Sequence, residues 1–323
     1  MSQTLKLASV VLLSIVFSIA LLYLTVETPR IINNYLLSSV APDQPFNIEY
    51  IEGFTYWAKI AGYLSLVTVV ALIILGYLIE KSKLSVAGSL ALFIPTFGYF
   101  AFTMFFLAGL GVLYSLWLPL MDLSPTVFML GDVIYLPYLA IEYPLSLLGI
   151  DISVPFAMLF MFLGLLIFIM GSVSWLYFRF SRQDIVSAWI YRYSRHPQYL
   201  GFILWSYGLT ILATKLPYVR GGYFPEPGFP MLISTLVLVS TALYEETMLI
   251  KKSGIQYINY RNSAPFMLPI PKTLSRLLKL PVKALIGKEY PETKIEVAIV
   301  FLIYLFISVL LSIPFPLLGW RLR

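Results

Sequence analysis

The chain of 323 residues is 59% apolar and only 12% charged, with a mean hydropathy of +0.86. Soluble domains carry about 25% charge, so a water-soluble globule, a disordered chain and a fibrous chain are all excluded. The absence of cysteine and the presence of one histidine, His196, remove a disulfide framework, a thiolate or multi-histidine metal site, a cysteine nucleophile and a serine triad.

A membrane-crossing helix needs about 20 mostly apolar residues. In chain order, 7–26 and 58–79 meet that requirement, and 84–121 is long enough for one tilted helix or two short ones breaking near Gly98 or Thr103. Residues 122–152 are apolar but interrupted by Asp122, Pro125, Asp132, Pro137, Glu142, Pro144 and Asp151, and read as an external or interfacial loop. Further spans follow at 153–178, 199–216, 229–250 and 295–319. The turn-rich PYVRGGYFPEPG at 217–228 makes 199–216 and 229–250 the arms of a hairpin. The expected fold is all-α, a polytopic transmembrane bundle of about seven spans. The first apolar run is followed by no small-residue cleavage site and reads as a signal-anchor.

Charge sets the orientation, because Lys and Arg concentrate on the cytoplasmic side. No Lys or Arg occurs from Leu84 to Phe178, which places that stretch outside. Lys81, Lys83, Arg179, Arg182, Arg192 and Arg195 fall in inside loops, as do the many basic residues of 251–294. The N-terminus is then inside and the C-terminus outside, with Arg321 and Arg323 on the unexpected face. The organisation reads as a transmembrane region over 1–150, a core at 153–271, a basic amphipathic segment at 272–294 and a last span within 295–323.

The rare reactive groups are local. His196 lies in Tyr191-Arg192-Tyr193-Ser194-Arg195-His196-Pro197-Gln198-Tyr199-Leu200-Gly201. Pro197 suits the first turn of the next helix, whose N-terminus, with Arg195 and His196, suits a carboxylate or phosphate. Gly201 lets a ligand or a second helix approach its backbone. Glu245-Glu246 lies in an otherwise apolar span, where one charge costs about 2.5–3.5 kcal/mol at mid-bilayer and less near the interface. The hairpin returns both glutamates to the side of His196. A bland reading of each feature alone is an interfacial cap for His-Pro and an ion pair with Lys251 or Lys252 for the glutamates. Together they suit a zwitterion with a cationic centre: its carboxylate at Arg195 and His196, its amine at Glu245 or Glu246, and rings such as Tyr191 or Tyr199 near the cation. S-adenosyl-L-methionine carries those groups.

The segment from Arg195 to Gly201, the hairpin, Glu245-Glu246, the stretch Gly254-Ile255-Gln256-Tyr257-Ile258-Asn259-Tyr260, Pro265 and Pro269-Ile270-Pro271 together resemble the isoprenylcysteine carboxyl methyltransferase and phospholipid methyltransferase superfamily. The resemblance implies an integral membrane methyltransferase with a cytosolic-side pocket for S-adenosyl-L-methionine and a lipid-like acceptor drawn from the bilayer. By position it implies that His196, Tyr199 and Gly201 line the cofactor site, with Tyr191 and Arg195 beside them. Glu245 and Glu246 close it, and Arg261, with Glu246, stands at the reacting end. The chain departs from the pattern at Ser263, where a basic residue is usual, and at Ala188-Trp189-Ile190, where a glycine is common.

Methyl transfer from a sulfonium needs alignment more than acid–base groups, which suits so thin an inventory; an amine acceptor would need Glu246 or water as base. The acceptor stays open among a prenylcysteine carboxylate, a phospholipid amine and another isoprenoid lipid. Alternatives are a sterol C14-type reductase using a nicotinamide dinucleotide phosphate, or a transporter or scaffold without an enzymatic site. No metal site and no nucleic-acid partner are expected. Lys272, Arg276, Lys279 and Lys283 form one stripe of a helix opposite Leu274, Leu277, Leu278 and Leu285, although Pro281 is expected to kink or split it. That pattern suits an anionic membrane surface, here a prokaryotic plasma membrane.

Overall fold

The computed structural model describes residues 3–40, 48–79, 118–181, 185–214 and 228–318. Most of the apolar stretch 84–121, most of the turn 217–228, and Lys81, Lys83, Arg182, Arg321 and Arg323 lie outside them. Among the described residues the regular structure is entirely helical: α1 (Gln3–Val40), α2 (Ile48–Leu78), α3 (Leu118–Leu123), a 3-10 helix at Pro125–Tyr135, α4 (Leu136–Ser146), α5 (Ser153–Phe180), a 3-10 turn at Trp189–Arg192, α6 (Pro197–Thr214), α7 (Gly228–Ser253), α8 (Ile255–Ser263), α9 (Lys272–Ile286), α10 (Lys294–Ser312) and α11 (Pro314–Leu318).

Among the described residues, four helical stretches are long and apolar enough to cross a membrane: Thr4–Tyr23, Ser153–Phe180, Gly228–Ser253 and Lys294–Ser312; Gly62–Leu78 is apolar but shorter. They differ in enclosure, with 67% of the α7 window buried inside the protein against 17% for α10. Of these four, α7 is the most enclosed, and α10 presents most of its surface outward. Small polar residues suit an enclosed helix, since they allow close approach while bonding their own backbone. Thr241 donates to the Val237 carbonyl at 2.8 Å and Thr247 to that of Tyr244 at 2.8 Å.

The chain forms two compact units. One consists of Tyr23–Ala157, Leu209–Thr235 and the residues from Phe306 onward. In it, 122–152 departs from the loop expected from the sequence, since most of it is helical. Pro125 and Pro137 sit in first helical turns, where the missing N–H has no partner to lose, so these prolines start helices rather than break them. Asp132, expected in a loop, is fully buried. Asp151 accepts the Ser153 N–H at 2.8 Å at the start of α5, and Tyr138 and Ser153 share a hydrogen bond of 2.8 Å.

The other unit consists of the residues up to Leu22, Met158–Gly208 and Leu236–Leu305, and contains every candidate site residue. Its tightest helix crossing joins α5 to α6. A Cβ on Gly164 would lie 2.4 Å from the Trp205 nitrogen, and one on Gly201 would lie 2.6 Å from the Phe168 nitrogen. Only the missing side chains permit that approach. The close contact expected at Gly201 is thus made by a helix. At the start of α10, Thr293 and Glu296 form a capping box: the Glu296 N–H donates to the Thr293 hydroxyl at 3.2 Å and the Thr293 N–H to the Glu296 carboxylate at 3.1 Å. The helix α9 runs unbroken through Pro281 rather than splitting. The Tyr304 hydroxyl donates to the Leu278 carbonyl in the turn that the proline disturbs.

Candidate active site

Local chemistry fixes the entry to α6. The His196 N–H donates to the Ser194 hydroxyl at 3.3 Å, Pro197 opens the helix, and the Leu200 N–H returns to the His196 carbonyl at 3.0 Å. The Arg195 N–H reaches the carbonyls of Pro265 and Phe266 at 3.0 and 3.2 Å. That shared bond ties the histidine segment to the chain following α8. Gly254, with φ of 53°, makes the corner between α7 and α8, a conformation that costs a residue bearing Cβ.

The antiparallel arms then bring the rare groups together. His196 Nε2 lies 3.0 Å from Glu246 Oε1, and Arg195 Nε lies 3.2 Å from the same oxygen, with all three side chains buried. The Arg195 contact is an ion pair without hydrogen-bond alignment, for its Nε has no hydrogen-bond partner. One helical position earlier, Tyr199 donates to Glu245 Oε1 at 2.9 Å. The His196 ring stacks on Tyr199 at 5.8 Å between centroids and meets the edge of Phe266 at 5.3 Å.

The guanidinium groups are under-paired. Arg195 Nη1 donates to the Arg261 carbonyl at 3.3 Å, while Arg195 Nε and Nη2 and Arg261 Nε and Nη1 are buried donors with no hydrogen-bond partner. Both guanidiniums face the ring of Tyr290, at 5.0 Å for Arg195 and 5.2 Å for Arg261, and Lys279 approaches it at 4.2 Å. A buried charge needs compensation. Glu246 supplies one carboxylate, aromatic faces supply partial compensation, and the orphaned N–H groups suit an anion.

Three tyrosines frame the cluster as neutral donors. Burial pushes the phenols of Tyr191, Tyr257 and Tyr260 far above the usual range; Glu246 adds to the rise at Tyr257 and Tyr260, which Arg195 opposes. None can serve as a phenolate base near neutral pH. Tyr260 donates to the Tyr191 carbonyl at 2.8 Å and Tyr191 to Gln198 Oε1 at 3.0 Å. Beside Tyr260 opens a cavity of about 550 Å³ lined also by Ser187, Arg192, Asn259, Ser263 and Ala264, within the usual size of small-molecule sites.

The structure therefore gathers Arg195, His196, Tyr199, Glu245, Glu246 and Arg261, places Tyr191 one turn away, and assigns Gly201 a helix-packing contact. Sequence reasoning overlooked Tyr290, which lies outside every motif, and the packing roles of Tyr257 and Phe266. Among the described residues no group of three metal-ligating side chains occurs. The stretch lacking the common glycine keeps a glycine-like backbone: Trp189 has φ of 54°, its ring packed against Tyr177 and Phe178 at 5.0 and 5.2 Å.

Fold and site together define a helical integral membrane protein with a buried carboxylate–imidazole–guanidinium cluster. Residues 157–222 match the model of the isoprenylcysteine carboxyl methyltransferase (ICMT) family, which bears out over that segment the resemblance read from the motifs and supports a membrane methyltransferase. The matched segment contains His196, Tyr199 and Gly201, whereas Glu245, Glu246 and Arg261 lie beyond it. No curated protein and no solved structure matches the chain.

Proposed function

We propose that the protein transfers a methyl group from S-adenosyl-L-methionine to a lipid-like acceptor in the bilayer, with its site on the cytoplasmic side of a bundle of about seven spans. The observation that carries this reading is the meeting of Arg195, His196 and Tyr199, within a segment matching a methyltransferase family, with Glu245 and Glu246 from beyond it. The residues fit the cofactor. Orphaned N–H groups of Arg195 suit a carboxylate and Glu245 suits an ammonium; the cavity beside Tyr260 is of nucleoside size but is lined by none of the residues of the His196 cluster. When bound, the cofactor supplies a methyl on a sulfonium leaving group.

The chain's own residues then hold and orient. Glu246 offsets the charge of Arg195 and fixes the imidazole of His196, while Tyr199 fixes Glu245. The free donors of Arg261 favour an acceptor whose reacting group is an anionic oxygen over one that is an amine. An anionic oxygen needs no base, so positioning is the main catalytic contribution. Glu246 would act as base only for an amine acceptor.

One observation favours the reductase reading: Arg195, Arg261 and Lys279 converge on Tyr290, a basic cluster that a phosphate-bearing dinucleotide would use. Calorimetry on the purified protein with S-adenosyl-L-methionine and with the nicotinamide dinucleotide phosphate decides between them. The methyltransferase reading expects binding of the former only, lost in His196→Ala and in the Glu245→Gln, Glu246→Gln double variant. Unchanged affinity in those folded variants rejects the reading. Incubation in native lipid extract with a labelled methyl donor, followed by mass spectrometry, identifies the acceptor.

A further inference from the structure

The helix α9 leaves two opposite faces uncovered. Leu277 and Leu285 are 60% and 68% exposed, with Leu274 and Leu278 close to half exposed on the same side. The opposite stripe carries Lys272, Arg276, Lys279 and Lys283. Only the flank bearing Val282, which is buried, is enclosed by protein. Exposed leucines in a row are costly in water, and a cationic stripe opposed to them selects among possible covers. A neutral apolar partner would leave the charges unused, and water would leave the leucines bare.

The cations of the stripe are not equivalent. Lys279 is committed to the protein, through an ion pair of 3.1 Å with Glu289 and its approach to the Tyr290 ring. Lys272, Arg276 and Lys283 make no hydrogen bond or close ion pair among the described residues; Arg276 and Lys283 feel the Glu289 carboxylate only at longer range, so all three have donors to offer an external anion. The Tyr304 hydroxyl, donating to the Leu278 carbonyl, holds α9 against α10. That neighbour exposes Ile295 and Leu302, as a lipid-facing span does. The apolar face of α9 therefore belongs to a helix already fastened to a membrane element.

We infer that α9 docks on an anionic lipid surface, its leucines entering the acyl boundary and Lys272, Arg276 and Lys283 engaging acidic headgroups. A helix of this pattern lies in the interface plane, and its hold depends on both apolar area and headgroup charge. The inference concerns a surface distinct from the His196 cluster and stands whichever cofactor that cluster takes.

The test uses the absence of cysteine from the chain. A spin label on Leu277→Cys in the full-length protein reports collision with oxygen, which partitions into lipid, and with a water-soluble nickel chelate. Nanodiscs of phosphatidylcholine alone are compared with discs containing phosphatidylglycerol. Docking predicts higher oxygen and lower nickel accessibility in the anionic discs. Substituting Lys272, Arg276 and Lys283 by Gln removes the difference, lowering the docked-to-undocked ratio in the anionic discs about fivefold per charge removed; added salt weakens it in the unsubstituted background. Equal nickel accessibility in both discs overturns the inference. So does equal lipid immersion that neither salt nor the substitutions change, which would mean apolar packing alone. Protection from both reagents, together with a dimer mass for the same sample, assigns the face to a second copy of the chain and also overturns it.

Discussion

Glu246 places one carboxylate oxygen 3.0 Å from the His196 ring nitrogen, across 50 residues of sequence, and Arg195 shares that oxygen. Removing the carboxylate leaves Arg195 buried without its counter-charge. Breaking a buried pair by deleting one partner costs about 3–5 kcal/mol. Glu246→Gln is therefore expected to lower the melting temperature in detergent markedly. Glu245→Gln keeps an amide oxygen to accept from Tyr199 and exchanges a charged acceptor for a neutral one at a half-buried position, which is expected to cost about 1 kcal/mol. A thermal-shift comparison of the two single variants checks the ordering.

The convergence was legible in the sequence because topology demanded it. A two-arm hairpin with short ends must return Glu245-Glu246 to the level of His196, whatever the side-chain detail. The helical character of 122–152 was not legible, because prolines read as breakers until their position in the first helical turn is known. Tyr290 was hidden for another reason. Its partners Arg195 and Arg261 lie far away in sequence, and a lone tyrosine between Glu289 and Pro291 has no periodicity to mark it. Trp189 was visible only as part of a stretch lacking a glycine; its positive φ is a conformation that glycine adopts readily.

The α5–α6 crossing gives a prediction that separates packing from ligand contact. At Gly201 an added Cβ meets backbone atoms at 2.6 and 2.7 Å, which cannot swing aside as a side chain would. Overpacking of this kind costs about 1–3 kcal/mol. Gly201→Ala and Gly164→Ala are expected to destabilise alike, and the protein that remains folded should keep its ligand affinity. Weakened binding in Gly201→Ala with unchanged thermal stability would show instead that Gly201 touches the ligand.

Trp189 carries a left-handed backbone and two aromatic contacts at once. Replacement by Ala loses the contacts and keeps the strain. Replacement by Gly loses the contacts and removes the strain, worth about 1–2 kcal/mol. Trp189→Gly is thus expected to be the more stable of the two variants by about that amount. Equal melting temperatures would place the strain elsewhere.

The pH response at the end of α9 follows from Glu289. Its hydrogen bond and ion pair with Lys279 hold the carboxyl below its usual value. A group whose folded pKa is depressed contributes stability above its unfolded pKa, about 4.3 for Glu, and loses it as pH falls through the lower folded value. Both partners are partly exposed, so the effect is small and weakened by salt. Stability measured on acidification should fall less steeply in Glu289→Gln than in the unsubstituted protein, and only at low ionic strength. Identical acid limbs would show that the pair contributes nothing.

Tyr290 draws three cations to one ring, and the ring's own chemistry decides what a substitution does. The attraction comes from the negative face of the π-system, at about 2 kcal/mol when desolvated, and owes nothing to the hydroxyl. Tyr290→Phe keeps that face and is expected to leave stability within about 0.5 kcal/mol of the original. Tyr290→Leu keeps the apolar bulk but not the quadrupole, and leaves Arg195 and Arg261 without that face, with Glu246 the carboxylate paired to Arg195 among the described residues. That variant is expected to lose about 2 kcal/mol, part of it recovered by a bound anion that fills the orphaned N–H groups. Thermal unfolding of the two variants with and without S-adenosyl-L-methionine measures both effects. Equal behaviour of Phe and Leu at this position would reduce Tyr290 to a spacer.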